Sequence, residues 1–379
     1  MNGLDNFLIN KLDDRKSKGL MRALPTFASP DIDFTSNDYL GLARSEELFN
    51  VIAQRSIHAQ KKSNGSTGSR LLSGNSNLIE ETESRLANLF NSESTLIFNS
   101  GYAANLAVLS SLPQRSDTIF LDEHAHACMK DGARLSLAKR VGFRHNNLND
   151  LESKLRQATG QIYIAVESIY SMDGDVCPLK DLIYLAEKYD GTIILDEAHS
   201  TGVLGPNGAG LAVSLGLEQK IGIRIYTFGK AMGVHGACVA GSKLLQQYLT
   251  NFARSFIYTT APSPHSVVAI ASAFDYLAQH QYLQEKLRSI VNEFVSLMKD
   301  HPRRTPSYSA IQGIIFAGNE NVRMTASNLR RKGFDVRPIV YPTVKTGQER
   351  IRICLHSFNS IQEINDLVHN LNLINNKQA

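Results

Sequence analysis

From about residue 76 to about residue 240, apolar runs of strand length alternate with helical stretches, and this alternation leaves few folds open. Helical spacing covers 76–91, 102–112, 125–138, 148–157 and 178–189, and apolar runs cover 94–98, 117–121, 161–167, 192–196 and 221–228. Strands separated by helices need crossover connections, which make the strands parallel and cover both faces of the sheet. Beyond this region 262–300 reads as one long helix, with apolar positions at Val267, Ile270, Ala271, Phe274 and Leu277. Ile311 to Ala317 and Ile351 to Leu355 then read as strands, with helices over 322–332 and 360–373. Ahead of it, residues 2–20 carry Leu4, Phe7, Leu8 and Leu12 at the spacing of a short amphipathic helix, and Pro25 and Pro30 break the chain. Ile32 to Phe34 reads as a short strand, and a helix follows over roughly 45–62. The expected organisation is an N-terminal arm (1–44), a large α/β domain with a mostly parallel central sheet (45–280) and a smaller α+β C-terminal domain (281–379).

Charge and cysteine content exclude several classes. A net charge of +4, with no basic block, argues against a nucleic-acid partner and leaves room for local sites that take anions. No apolar run approaches the ~18 residues of a membrane span. The start of the chain lacks the basic-then-apolar pattern of a secretory leader. Cys128, Cys177, Cys238 and Cys354 have neither metal nor redox spacing, and Cys238 and Cys354 lie in apolar, strand-like runs. Reduced thiols and a cytoplasmic location are expected.

The chemistry gathers at strand ends, where open α/β sheets bind ligands. Lys230 follows the apolar run 221–228 in a glycine-flanked turn, and a desolvated amine there becomes a nucleophile. Ser100 and Gly101 open a helix directly after strand 94–98, so free amides and the helix dipole can hold a phosphate. Asp196 ends strand 192–196, with His199 three residues on. His126 follows strand 117–121, where an imidazole can stack on a flat ring. Each feature has an ordinary reading: a solvated lysine, a capped helix start, a turn-capping aspartate, a surface histidine. Together they match the needs of pyridoxal phosphate, whose aldehyde takes a lysine as an imine, whose phosphate takes a helix terminus and whose ring nitrogen takes a carboxylate. A zinc hydrolase built from Asp122, His124, His126, Asp196 and His199 is the rival, but it leaves Lys230 and the Ser100 turn unused. A nucleotide-binding module finds neither a G-x-G-x-x-G turn nor a Walker lysine.

Six segments carry a family resemblance: Ser36 to Gly41, Gly68-Ser69-Arg70, Ser100 to Asn105, Ser171 to Asp175, Asp196 to His199, and Thr227 to Lys230. With them the chain resembles the α-oxoamine synthases over nearly its whole length. These are fold-type I pyridoxal 5'-phosphate enzymes that join an amino acid to an acyl-thioester and release carbon dioxide. The resemblance implies that Lys230 forms the imine and shuttles the proton, and that Asp196 pairs with the ring nitrogen. His126 would stack on the ring, and His199 with Ser171 would contact its oxygen. Gly101, Tyr102 and Thr227 would hold the phosphate region. It implies a homodimer with shared active sites, with Thr260 lent to the neighbouring subunit's phosphate. Arg352 would take the amino acid carboxylate, with Arg350 on the same strand face as the alternative. Arg22, Asn37 and Thr343 would contact substrate. The stretches Gly65 to Gly74 and Thr227 to Gly236 look most like the branch that joins L-alanine to a pimeloyl-thioester, carried on CoA or a carrier protein, in biotin synthesis. Members that use glycine or serine share nearly all these positions, and a plain aminotransferase would share the cofactor. One departure stands out: Glu197 and Ser200 occupy places where a second aspartate and a glycine are expected.

Overall fold

The computed structural model describes residues 3–24, 31–58 and 63–378. The chain forms two compact units, Met1–Asp31 and Ile32–Ala379. The first contains the expected N-terminal helix, Gly3–Ser17, with no buried residue. The expected chain breaks at Pro25 and Pro30 lie outside the described residues.

In the second unit the helix Glu46–Ile57 is shorter than the sequence reading, and residues 59–62 of that reading lie outside the described residues. Ser45 starts this helix, its Oγ accepting from the Leu48 amide at 3.1 Å. The strands are β1 (Ile32–Asp33), β2 (Ser94–Phe98), β3 (Thr118–Asp122), β4 (Lys139–Phe143), β5 (Ile162–Glu167), β6 (Gly191–Asp196), β7 (Ile223–Thr227), β8 (Ala237–Gly241), β9 (Ile311–Ile315), β10 (Phe334–Asp335), β11 (Arg337–Ile339) and β12 (Arg350–Cys354). Seven form the main sheet in the order β2-β8-β7-β6-β5-β3-β4. All its pairs are parallel except those of β8, which runs against both β2 and β7.

Both faces of this sheet are covered, so its strands are apolar on both sides. Along β6, Ile194 packs with Leu109 and Met129 on one face, while Ile193 and Leu195 pack with Leu182 and Ile183 on the other. On this scaffold β2, β3, β5, β6 and β7 point their carboxyl ends the same way, and the site lies there.

Three sequence readings are corrected. Residues 262–300 form two helices, Pro264–Gln279 and Tyr282–Leu297, broken at His280 and Gln281. The apolar stripe runs on through the break and hides it. The edge strand β4 was not expected, because Lys139, Arg140 and Gly142 are exposed and leave no apolar run. Antiparallel β8 was foreshadowed only by the apolar residues around Cys238.

Towards the C-terminus β11, β12 and β9 form an antiparallel sheet. Ile351 and Ile353 are fully buried and join the core, which turns Arg350 and Arg352 to the opposite face. β1 pairs in parallel with β10, bringing residues 34–40 against this sheet: the Phe34 carbonyl accepts from the Cys354 amide at 2.9 Å.

Candidate active site

Lys230 lies in the turn from β7 to β8. The Gly233 amide donates to the Lys230 carbonyl at 2.8 Å, and Gly233 takes φ +65°, a left-handed conformation that suits glycine. The lysine stem is partly exposed, while its amine is enclosed by protein. Burial pushes the amine below its ordinary pKa; Asp196 and Glu167 oppose this and Arg352 adds to it.

The amine lies 2.9 Å from His199 Nε2. His199 Nδ1 lies 2.8 Å from the Tyr39 hydroxyl, which donates to Asn37 Oδ1 at 3.0 Å. Asn37 Oδ1 also accepts from Arg352 at 2.9 Å. Since Tyr39 donates to Asn37, its oxygen accepts from the His199 Nδ1–H. That tautomer leaves Nε2 a lone pair facing Lys230. Burial keeps His199 well below its ordinary pKa, with Lys230 and Arg352 adding to the effect, so the ring is neutral.

Asp196 ends β6 and is buried. Its Oδ1 accepts from the Ala198 amide at 2.8 Å and its Oδ2 from Asn105 Nδ2 at 2.7 Å. Asn105 also donates to the Gly101 carbonyl at 3.0 Å, so it ties the carboxylate to the helix start. That helix, Gly101–Ser111, is capped by Ser100, whose Oγ accepts from the Ala103 amide at 3.2 Å. A Cβ at Gly101 would collide with Thr227 Oγ1, so the helix start and the end of β7 touch only because residue 101 is glycine. Tyr102 is half-exposed and donates to Asp131 at 2.5 Å.

His126 is exposed at the start of helix Ala127–Leu135, where its Nδ1 accepts from the Cys128 amide at 3.2 Å. Burial at the ring and the nearby Lys230 lower its pKa. Its backbone amide donates to Glu167 Oε1 at 2.6 Å. Glu167 ends β5 in register with Asp196, and burial beside that carboxylate raises its own pKa.

The structure therefore gathers Lys230, Asp196, His199, Asn37, Arg352 and Ser171; the Ser171 carbonyl accepts from Arg352 Nε at 2.7 Å. Arg350 is engaged elsewhere, in an ion pair with Asp173. Gly101 and Thr227 touch where the helix start meets the end of β7. Thr260 has an exposed side chain, and its carbonyl accepts from Asn99 Nδ2 at 2.8 Å. Thr343 sits in an exposed turn, its amide donating to the Val340 carbonyl at 2.9 Å, with no hydrogen bond to the cluster among the described residues. Arg22 is exposed in the Met1–Asp31 unit. Sequence reading assigned no role to Tyr39, Asn105 or Glu167. Asn105 sits one helical turn after Gly101, and Glu167, like Asp196, closes an apolar strand with an acid; both signals were available.

The Glu197–Ser200 departure has a structural account. Glu197 is fully buried and accepts from the Leu211 and Ala212 amides at 2.9 and 2.8 Å and from the Ser200 hydroxyl. The longer acid reaches the start of helix Gly210–Ser214, and Ser200 supplies a donor that glycine lacks. The zinc alternative finds no such assembly: among the described residues no three His, Cys, Asp or Glu side chains are placed to hold a metal.

This donor set fits a phosphate-bearing pyridine aldehyde. It offers amides at a capped helix start, a buried carboxylate for a ring nitrogen, an imidazole at the rim and an enclosed amine. Gly101→Ala is expected to weaken cofactor affinity about 10–100-fold, since crowding a packed contact costs ~1–3 kcal/mol. Titrating apoprotein with pyridoxal phosphate by absorbance checks this.

The chain belongs to the family described as aminotransferase class I and II, whose model matches residues 29–371. Within that class the chain belongs to the α-oxoamine synthases. An 8-amino-7-oxononanoate synthase of Emericella nidulans is 37% identical, covering 97% of this chain and 95% of that protein. The enzyme of that name from Chromobacterium violaceum is 39% identical over 89% of this chain and 87% of that one. Among solved structures, a serine palmitoyltransferase from S. paucimobilis with bound pyridoxal phosphate superposes with a TM-score of 0.89 at 25% identity, covering 100% of this chain and 99% of that one. An 8-amino-7-oxononanoate synthase from Francisella tularensis gives 0.80 at 28% identity, covering 92% and 99%.

Proposed function

We propose that the protein is an acyltransferase that joins L-alanine to a pimeloyl-thioester and forms 8-amino-7-oxononanoate for biotin synthesis. The cofactor is pyridoxal 5'-phosphate, which when bound supplies the electron sink for negative charge at the amino acid α-carbon. The observation that carries the proposal is the hydrogen-bonded chain from Lys230 through His199, Tyr39 and Asn37 to Arg352. Through three intervening side chains it joins the amine that would move the proton to the guanidinium that would bind the carboxylate.

Each side chain then has a task. Arg352 and Asn37 hold the amino acid carboxylate. Lys230, low in pKa and steadied by His199, removes the α-proton and later returns one. Asp196 would pair with the ring nitrogen and favour its protonated form, and His126 would lie against the ring and limit water. A carbon–carbon bond forms between the α-carbon and the acyl carbon as the carbon–sulfur bond breaks and the thiol leaves. The carboxylate then departs as carbon dioxide.

Relatives named 8-amino-7-oxononanoate synthase at 35–39% identity support alanine and the pimeloyl chain. A serine- or glycine-using reaction is the second reading, supported by the higher structural similarity to serine palmitoyltransferase. Incubating the holoenzyme with each small amino acid and a panel of acyl-thioesters, on CoA and on carrier protein, and following thiol release tests both. Thiol release with serine or glycine but not alanine would overturn the first.

Arg352→Lys is expected to raise the KM for the amino acid about 10–100-fold, since the planar fork makes charged hydrogen bonds worth ~1.5–3 kcal/mol each. Initial rates against amino acid concentration check it. The homodimer, with Thr260 reaching the neighbouring subunit's phosphate, belongs to the same proposal, and sedimentation velocity tests it. No helix among the described residues is long and apolar enough to cross a membrane. Four buried free cysteines support a reducing, cytoplasmic compartment.

A further inference from the structure

Beside the site, two carboxylates share one imidazole. Asp122, the last residue of β3, accepts from His145 Nδ1 at 2.8 Å, and Asp175 accepts from His145 Nε2 at 2.6 Å. Carboxylate oxygens only accept, so both ring nitrogens carry protons and His145 is a cation between two anions. Asn146 repeats the bridge: its amide donates to Asp122 at 2.9 Å and its side chain to Asp175 at 2.7 Å.

The two carboxylates belong to different parts of the site. Asp122 also accepts from the His124 amide at 2.8 Å, shaping the loop that leads to His126. Asp175 closes the hairpin that starts at Tyr170, whose amide donates to the Asp175 carbonyl at 3.0 Å. That hairpin presents the Ser171 carbonyl to Arg352 and Asp173 to Arg350.

We propose that His145 is a positioning residue that ties the His126 loop to the Ser171 hairpin and thereby fixes the Arg352 pocket for the amino acid carboxylate. The proposal rests on Arg352 taking that carboxylate. Among the described residues His145 makes its side-chain hydrogen bonds to Asp122, Asp175 and Asn146, not to Lys230, Asp196, His199 or Arg352. His124 stacks on it at 4.0 Å and Tyr170 meets it edge-on at 4.4 Å. Its charged surroundings are Asp122 and Glu123 from the end of β3 and Asp175 from the hairpin; the pKa of His124, which lies 3.6 Å from Asp173, is lowered by burial and by the His145 charge.

Burial opposes the charge on His145, but the two carboxylates win and raise its pKa to about 9. A raised folded pKa means the tie is fully present below the ordinary value of ~6.5 and is lost as pH rises through about 9.

The test uses holoenzyme, with L-alanine as probe and the cofactor's absorbance change as the binding signal. His145→Gln and Asp175→Asn are each expected to raise the Kd for alanine about tenfold or more, with cofactor content unchanged and saturated kcat altered less than about threefold. Histidine-labelled wild type should show one imidazole still doubly protonated at about pH 8, absent from His145→Gln. Alanine affinity within about twofold of wild type in the variants, or a neutral His145 at about pH 7, would overturn the proposal. If His145→Gln does not fold, Asp175→Asn decides, because it keeps the imidazole and removes one anion. If wild type binds no small amino acid, the functional reading fails instead, and the imidazole titration still decides the tie.

Discussion

Lys230→Ala is expected to yield a folded protein that no longer holds its cofactor covalently and turns over at least about 10²–10⁴-fold more slowly, the usual cost of losing a general base. Folding should survive, because Lys230 lies in a turn and its amine sits at a desolvation cost, which the pull of Asp196 and Glu167 opposes. The loss also frees His199 Nε2 of its one hydrogen bond, but Tyr39 still holds the other ring nitrogen. Cofactor can therefore still enter, held by the helix start at Gly101 and by Asp196, without a bond to the chain. Borohydride treatment followed by mass spectrometry distinguishes the states. Wild type should gain the mass of the reduced cofactor at Lys230, and the variant should gain none. A variant that still traps cofactor at full turnover would remove Lys230 from the centre of the chemistry.

The sheet was legible because parallel strands buried on both faces have to be written as apolar runs, and β2, β3, β5, β6 and β7 are. β4 was hidden because an edge strand needs few apolar residues: Lys139 and Arg140 face solvent. Ends of strands were legible for the same reason as the strands. A charged or small residue after an apolar run, such as Asp196 or the Ser100–Gly101 pair, has one place to go. The second rank of the site was not, since its residues act on partners distant in sequence. Asn105 reaches Asp196 across 91 positions, and Tyr39 reaches His199 across 160. Arg350 and Arg352 share one strand face, and only the hairpin opposite, with Asp173 facing the first and the Ser171 carbonyl facing the second, separates them.

Asp196→Asn probes the electron sink without touching Lys230. In wild type the carboxylate accepts from Asn105 and from the Ala198 amide, and it is the group proposed to face a protonated ring nitrogen. An asparagine has one oxygen. If it faces Asn105, its amide nitrogen meets the Ala198 amide, 2.8 Å away in wild type; if it turns, two amide nitrogens meet at the Asn105 contact, 2.7 Å apart in wild type. Either way the buried charge that favours the protonated ring is gone, and breaking a buried ion pair costs ~3–5 kcal/mol. Cofactor should still attach to Lys230. Exchange of the alanine α-proton in deuterated water should slow by about 10²–10³-fold, because that step depends on the ring drawing electrons. Proton NMR of the α-position, with variant and wild type at equal cofactor content, measures the rate. Exchange at the wild-type rate would mean that Asp196 does not hold the ring nitrogen.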